Sequence, residues 1–190
     1  MAAAERRGAL MNLTGITAIV LVVAWLLGVA APARADDVAE VNRLVKAGQP
    51  AAAMARVDEL LAARPKDPQL RFLKGVLLAD AHRDAEAIEV LTRLNEDYPE
   101  LAEPYNNLAV LYAGQGRYDK ALRALEAAVR ANPEYATAYA NLGDVHARLA
   151  LQAWARARAL DANDASLGPK IAQMQTLFTP RPVERGAVTP

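Results

Sequence analysis

The sequence predicts an all-α chain built from repeated helical hairpins, because one pattern recurs with a period of about 34 residues. Three kinds of residue repeat in one register: prolines that end a helix, alanines that let two helices approach closely, and large apolar residues. They are Pro65, Pro99 and Pro133; Ala53, Ala87 and Ala121; and Val57, Leu91 and Leu125. A hairpin of this length buries too little apolar surface to be stable alone, so neighbouring hairpins are expected to stack on one another.

The clearest unit covers residues 102–135, where two apolar runs are separated by a turn. Both runs have the i, i+3, i+4, i+7 spacing of an amphipathic helix. Gly114 and Gly116 lie between them and supply the backbone freedom that a tight reversal needs. The runs are Tyr105, Leu108, Ala109 and Tyr112, and then Ala121, Leu125, Ala128 and Val129.

This unit resembles the tetratricopeptide repeat (TPR), whose W-x2-L-G-x2-Y pattern is followed by small and large apolar positions and a closing proline. The matching residues are Tyr105, Leu108, Ala109, Tyr112, Ala121, Leu125, Ala128 and Pro133. The preceding unit matches less well, since Arg71 and Lys74 stand where the family usually has an aromatic residue and a leucine. The resemblance covers about residues 37–162 and implies a right-handed α-solenoid.

The predicted organisation has four parts. Residues 1–35 form a signal peptide, and residues 36–165 form the solenoid, with units at about 37–67, 68–101, 102–135 and a shortened 136–162. Residues 166–178 form a capping helix, with Ser166 at its start, that covers the apolar end of the stack. Residues 179–190 contain three prolines and no periodicity, so we expect disorder there.

The N-terminal segment has the features of a secretory signal. Arg6 and Arg7 precede an uncharged run at residues 8–33, and the triplet 33–35 is Ala-Arg-Ala. Cleavage is expected between Ala35 and Asp36, which places the protein in the periplasm or outside the cell. The alternative is an uncleaved anchor in the inner membrane, because a run of about 20 apolar residues can span a bilayer.

The fourth unit departs from the repeat. Tyr139, Leu142 and Gly143 fit the family pattern, His146 takes the place of the tyrosine, and the register is then five residues short. No glycine or proline interrupts residues 144–163, so we predict one continuous helix over about residues 137–161. The alternative is a hairpin with a cramped turn at 148–151.

Reactive side chains are scarce. The chain has two histidines and no cysteine. His82 falls in a predicted turn and His146 on an inner helical position, and their spacing does not fit a metal site. The pairs Asp36-Asp37 and Glu96-Asp97 are interpreted as solvated charge. We therefore predict no enzyme activity, no metal and no cofactor.

The charge balance argues against nucleic acid as a partner. Removing residues 1–35 reduces the basic residues from 22 to 19 and the acidic ones from 22 to 21. A nearly neutral chain lacks the basic surface that phosphate recognition requires. Contact with a membrane is expected only in passing, through the signal peptide.

The resemblance implies a groove lined by the first helix of each hairpin, in which related proteins bind peptides. Asn107 and Asn141 hold the position of the family's groove asparagine, whose amide can bond a peptide backbone. The basic residues with which some members clamp a C-terminal carboxylate are absent, so apolar anchors are favoured over an acidic tail. The predicted lining is Phe72, Val76, Asn106, Asn107, Val110, Asn141 and Asp144.

Two functions are therefore considered. The first is a non-catalytic adaptor or assembly factor that holds a segment of another envelope protein in this groove. The second is a structural subunit that forms homo-oligomers, or docks on a fixed partner, through one face of the long fourth-unit helix. That face consists of Leu149, Ala153, Trp154, Ala157 and Leu160.

Overall fold

A computed structural model describes residues 30–178, and all of its secondary structure within these residues is helical. The elements are α1 (Ala30–Lys46), α2 (Pro50–Ala63), α3 (Pro68–Asp80), α4 (Asp84–Asp97), α5 (Ala102–Gly114), α6 (Tyr118–Ala131), α7 (Ala136–Leu160), α8 (Leu167–Gln175) and a 3-10 turn at Thr176–Phe178. The predicted all-α class is confirmed. Most of the predicted signal peptide and the predicted disordered tail lie outside the described residues.

The described chain divides into two compact units, with the boundary inside α3 after Leu77. The first unit contains α1, α2 and most of α3 around one apolar cluster. The second contains the end of α3 and α4 to α8. The first cluster consists of Val41, Ala53, Val57, Leu60, Leu70 and Leu77.

In the second unit, α6 packs against both α5 and α7. Its apolar stripe, which includes Ala121, Leu125 and Ala128, is fully buried. The other buried members of this cluster come from α5 and α7, namely Ala109, Ala138 and Val145. Short turns reverse the chain on both sides of α6, so α5 and α7 run in the same direction on one side of it.

The repeating alanines and large apolar residues occupy the core, as the sequence predicts. Ala53, Ala87 and Ala121 are each 0% exposed, and so are Val57, Leu91 and Leu125. Close packing leaves no free volume around such side chains, so each column favours one size of residue.

The turns inside the first three hairpins share one hydrogen-bonding pattern. Gly48, His82 and Gly116, at equivalent positions of successive repeats, have φ of 69°, 57° and 71°. In each turn the N–H of this residue donates to the carbonyl three residues earlier, and the next N–H donates to the carbonyl five residues before it. This is a Schellman motif, which ends a helix through one left-handed residue. Of the two glycines predicted to shape the third turn, only Gly116 has positive φ.

α7 is one continuous helix of 25 residues, which agrees with the first of the two interpretations of the fourth unit. The residue that lies one repeat after Gly116 is Ala150, and it is inside α7. A left-handed conformation is unfavourable for alanine, so the turn is not formed there. The expected inner position of His146 is wrong, since His146 is exposed and its neighbour Val145 is buried.

α8 packs on α7 and buries Leu167 and Ile171. The guanidinium of Arg148 lies 3.6 Å from the centroid of the Phe178 ring, which holds the end of this segment to α7. Ser166 does not cap α8, because its backbone is already helical. Instead the Asp164 carboxylate accepts the Ser166 N–H at 2.9 Å, and its hydrogen bonds with Ser166 lower the pKa of Asp164.

Candidate functional site

The helices α5 and α7 lie side by side and are joined by a hydrogen bond between two asparagines. The Asn141 amide Nδ2 donates to Asn106 Oδ1 at 2.8 Å. α6 packs against both helices, and residues of the pair that lie outside this contact, such as Val110 and Asp144, are exposed. We call this open surface the amide face: Glu103, Asn107 and Val110 on α5, and Thr137, Asn141 and Asp144 on α7.

The two halves of the amide face are equivalent positions of the repeat. Glu103, Asn107 and Val110 in the third repeat correspond to Thr137, Asn141 and Asp144 in the fourth. On each helix the three residues follow one another at i, i+4 and i+7, so they share one side of that helix. The repeat thus places two asparagines at corresponding points of neighbouring helices.

Asn106 lies buried beneath this surface instead of lining it. It is 6% exposed, and its Oδ1 is occupied by Asn141. The sequence indicates Asn106 as a groove residue, but the bond to Asn141 gives it the role of fixing α7 beside α5. An unpaired amide at this depth would cost about 1–3 kcal/mol, so the pair also keeps Asn106 satisfied.

The groups left open on the amide face are mainly acceptors and apolar surface. The Asn107 Nδ2 donates to the Glu103 backbone carbonyl at 2.9 Å, which uses part of its donor capacity. Val110 is 54% exposed. Glu103 and Asp144 are exposed, and neither carboxylate forms an ion pair with another residue of the described part.

The charged groups nearest to the amide face are mainly negative. Burial raises the pKa of Tyr135, and the nearby negative charge of Glu103 raises it further. α5 contains no lysine or arginine, and neither do residues 136–147 of α7. The next cation along α7 is Arg148, which lies over the Phe178 ring. By contrast, α6 carries Lys120, Arg123 and Arg130.

Phe72 and Val76, the remaining predicted groove residues, lie on α3 in the first unit, and both are half-buried. Val76 and Val110 occupy equivalent positions of successive repeats. In the second unit, the structure brings together Asn107, Val110, Asn141 and Asp144.

The five residues of the predicted docking face on the second half of α7 differ in exposure, because some are covered by the core or by α8 and others are not. Leu149 packs against the core cluster of the second unit. Trp154 is half-buried and lines a depression with Lys170 and Met174 of α8. Ala157 is half-buried, Ala153 is exposed, and Leu160 is 74% exposed. The sequence predicts α8 as a cap on the stack, but it does not indicate that α8 covers Trp154.

In the first unit, Asp37 has a structural role that the sequence did not indicate. Its carboxylate accepts hydrogen bonds from Arg56 at 3.1 Å and from Arg64 at 2.5 Å. Arg56 also donates to Glu40 and Glu59, each at 2.9 Å. The interpretation of Asp37 as solvated charge is wrong, because it ties α1 to α2.

Asn95 is a buried polar residue that sequence reasoning missed. It is 6% exposed, and neither its Nδ2 nor its Oδ1 has a hydrogen-bond partner among residues 30–178. The equivalent positions in the flanking repeats are Leu61 and Val129. A polar residue in an otherwise apolar column was the signal that could have drawn attention to it.

Two further kinds of feature are absent from residues 30–178. No group of three or more histidine, aspartate or glutamate residues there could hold a metal ion. In the same range no helix has the length and apolar character that crossing a membrane requires.

The chain matches two family models, both described as Tetratricopeptide repeat. One covers residues 38–102 and the other residues 81–134, so together they span just over half of the chain. A relative of similar sequence is the Arabidopsis thaliana Tetratricopeptide repeat domain-containing protein PYG7, chloroplastic. It is 32% identical over 87 residues, which are 43% of this chain and 29% of that protein.

Solved structures share the fold at lower identity. The crystal structure of MamA has a TM-score of 0.54 and 21% identity, covering 73% of this chain and 84% of MamA. The first TPR domain of human RPAP3 has a TM-score of 0.56 and 16% identity, covering 60% of this chain and 90% of that domain. The first TPR of Spaghetti (RPAP3) bound to the HSP90 peptide SRMEEVD has a TM-score of 0.55 and 16% identity, covering 58% of this chain and 88% of that one.

Proposed function

Since the chain belongs to the tetratricopeptide repeat family, we propose that it is an exported interaction module that binds a segment of another envelope protein on the amide face. The family and fold support binding of a protein partner. The amide face is the single observation that carries the assignment to these residues, and catalysis has no part in it.

The geometry suits an extended or helical segment. Asn107 and Asn141 offer amide groups at equivalent positions, which can bond a peptide backbone without reading its sequence. Val110 adds exposed apolar surface, and exposed apolar side chains beside polar ones are typical of binding surfaces. The HSP90 peptide bound by RPAP3 illustrates that this fold can hold a short segment.

Site-specific crosslinking tests this assignment. A photoreactive amino acid at Val110 is expected to capture a partner in the native envelope, and one at Glu126 on the exposed side of α6 is not. Asn107→Ala should reduce the yield at Val110, because it removes one backbone-binding amide. Equal capture from both positions, or a yield unaffected by Asn107→Ala, would remove the amide face from the account.

Export is part of the proposal and rests on the N-terminal pattern. Cleavage between Ala35 and Asp36 removes the first six residues of α1 and keeps Asp37, which pairs with Arg56 and Arg64. Protein made from the full sequence should be recovered from the periplasm with Asp36 as its first residue. An N-terminus at Met1 in a membrane fraction would support the anchored alternative.

A second candidate is a subunit that associates through α7. Tyr139 is 48% exposed, and Gly143 and His146 beside it on the helix are exposed as well. Light scattering during size-exclusion chromatography distinguishes a monomer from a homo-oligomer. A concentration-independent monomer would exclude the homo-oligomer. Trp154 fluorescence is a poor reporter here, because α8 already half-covers the ring.

A further inference from the structure

We propose that the segment bound by the amide face is cationic, with two lysine or arginine residues spaced to meet Glu103 and Asp144 and an apolar side chain against Val110. This inference rests on the proposed function of the amide face and adds the chemistry of the partner. Three observations support it. They are the acidic charges on the amide face, the hydrogen bonds that the Asn107 and Asn141 Nδ2 groups already donate within the protein, and the separation of the two carboxylates.

Both charged residues of the amide face are acidic. Glu103 and Asp144 are exposed and form no ion pair within the described residues. Cations of the neighbouring helices have other positions or partners. Lys120 and Arg117 are over the Tyr112 ring, Arg148 is over the Phe178 ring, Arg93 of α4 pairs with Glu89, and Arg123 and Arg130 are on α6. An acidic segment would meet only like charge here, which disfavours it.

The hydrogen-bonding groups point to the same partner. The Asn107 Nδ2 is bonded to the Glu103 carbonyl, and the Asn141 Nδ2 is bonded to Asn106. The face therefore presents more free acceptors than donors, since the side-chain oxygens of Asn107 and Asn141 and both carboxylates accept hydrogen bonds. Ammonium and guanidinium groups only donate, so they complement this set.

The separation of the carboxylates fixes the spacing of the cations. Asn106 and Asn141 lie at one level because they are hydrogen-bonded. Glu103 is three residues before Asn106, and Asp144 is three residues after Asn141, on helices that run in the same direction. Six residues of helix correspond to about 9 Å along the helix axes, and packed helices lie about 9 Å apart, so the two carboxylates are separated by about 13 Å. Residues i and i+4 of an extended peptide point to the same face and are about 13 Å apart, so cations at this spacing reach both carboxylates.

The test uses three labelled peptides of equal length that differ at two positions only. Each has leucine and serine at the other positions, and lysine, glutamine or glutamate at positions 5 and 9. Binding to the protein made from the full-length sequence is measured by fluorescence anisotropy in low and high salt. We expect the lysine peptide to bind roughly tenfold more tightly than the glutamate peptide at low salt, with a smaller difference at high salt.

A matched pair of variants separates the site from general charge attraction. Glu103→Gln/Asp144→Asn removes two acids from the amide face, and Asp119→Asn/Glu126→Gln removes two exposed acids from α6. In each pair one acid lies in the first turn of its helix, so the effects on folding are comparable. The first pair should weaken the lysine peptide about fivefold and the second by less than about twofold. Thermal melts confirm that both variants fold.

Two results would overturn the inference. If both variants weaken the lysine peptide equally, the attraction is a property of the whole surface. If the glutamine peptide binds as tightly as the lysine peptide, and Asn107→Ala weakens both, the amide face binds peptides without selecting for charge. The second result leaves the proposed function standing, whereas crosslinking at Val110 tests that function without assuming any charge on the partner.

Discussion

The third and fourth repeats begin alike and end differently. Tyr105, Ala109 and Tyr112 on α5 pack with the core that α6 completes, and Ala109 is 1% exposed. Their equivalents on α7 are Tyr139, Gly143 and His146, and all three are exposed. These three positions of the first helix are therefore buried only in the repeat where a turn folds the second helix back onto the first.

The difference shows that the turn decides whether a repeat closes. In the third repeat Gly116 takes a left-handed conformation, and α6 begins two residues later. In the fourth the corresponding residue is Ala150, and the register is five residues short, so the helix continues. α8 then packs on the second half of α7, and Tyr139, Gly143 and His146 on the first half stay exposed.

The largest expected change in the free energy of unfolding comes from a core residue on α6, the second helix of the third repeat. Leu125 on α6 is 0% exposed, and Leu125→Ala should lower the free energy of unfolding by about 3 kcal/mol, because it leaves a cavity. Leu160→Ala on α7 is the control, since Leu160 is 74% exposed, and should change it by less than about 0.5 kcal/mol. Urea unfolding measures both. Similar losses would mean that the end of α7 is buried as well.

Overpacking at the repeating alanine gives the next largest effect. Ala121→Leu should cost about 2 kcal/mol, since Ala121 is fully buried between helices. The residue 34 positions later is Ala155, which is exposed in α7. Ala155→Leu should be nearly neutral in the same unfolding experiment. A cost at Ala155 equal to that at Ala121 would indicate that the fourth repeat closes like the third.

Much of the difference between the third and fourth repeats can be predicted from the sequence, because it depends on residues that recur at fixed positions of the repeat. The buried alanine and leucine columns, the turn at Gly116 and the uninterrupted apolar spacing of α7 all follow from residues at fixed positions. Asn106 could not be placed in this way, since its burial depends on its bond to Asn141 in the next repeat. The cover of Trp154 by α8 likewise depends on how two helices pack.

A substitution at Asn95 tests whether a polar residue at this otherwise apolar repeat position lowers the free energy of unfolding. Both polar atoms of its side chain are buried without a partner in the described part of the chain, and such a group costs about 1–3 kcal/mol. Asn95→Leu restores the residue type of Leu61, and we expect it to raise the free energy of unfolding by about 1 kcal/mol. Thermal and urea unfolding measure the change. A loss of stability would show that Asn95 has a partner in solution.

The smallest effect concerns the turns. His82 is the one described residue other than glycine with positive φ, and this conformation costs about 1 kcal/mol for a residue with a side chain. His82→Gly should therefore stabilise the protein by up to about 1 kcal/mol, after the entropy that glycine loses on folding is subtracted. Gly116→Ala is the reciprocal change and should destabilise it by a similar amount, about 1 kcal/mol. Shifts of the same sign in both melting temperatures would contradict the shared turn geometry.

The most direct test of the account is a distance across the point where the fourth repeat fails to turn. The chain has no cysteine, so spin labels can be placed at Ala140→Cys and Arg158→Cys, both exposed on α7. A continuous helix separates their Cα atoms by about 27 Å. Labels at Glu103→Cys and Arg130→Cys, near the two ends of the α5–α6 hairpin, are the short-distance control. A separation of about 10 Å between positions 140 and 158, the spacing of packed helices, would contradict the account.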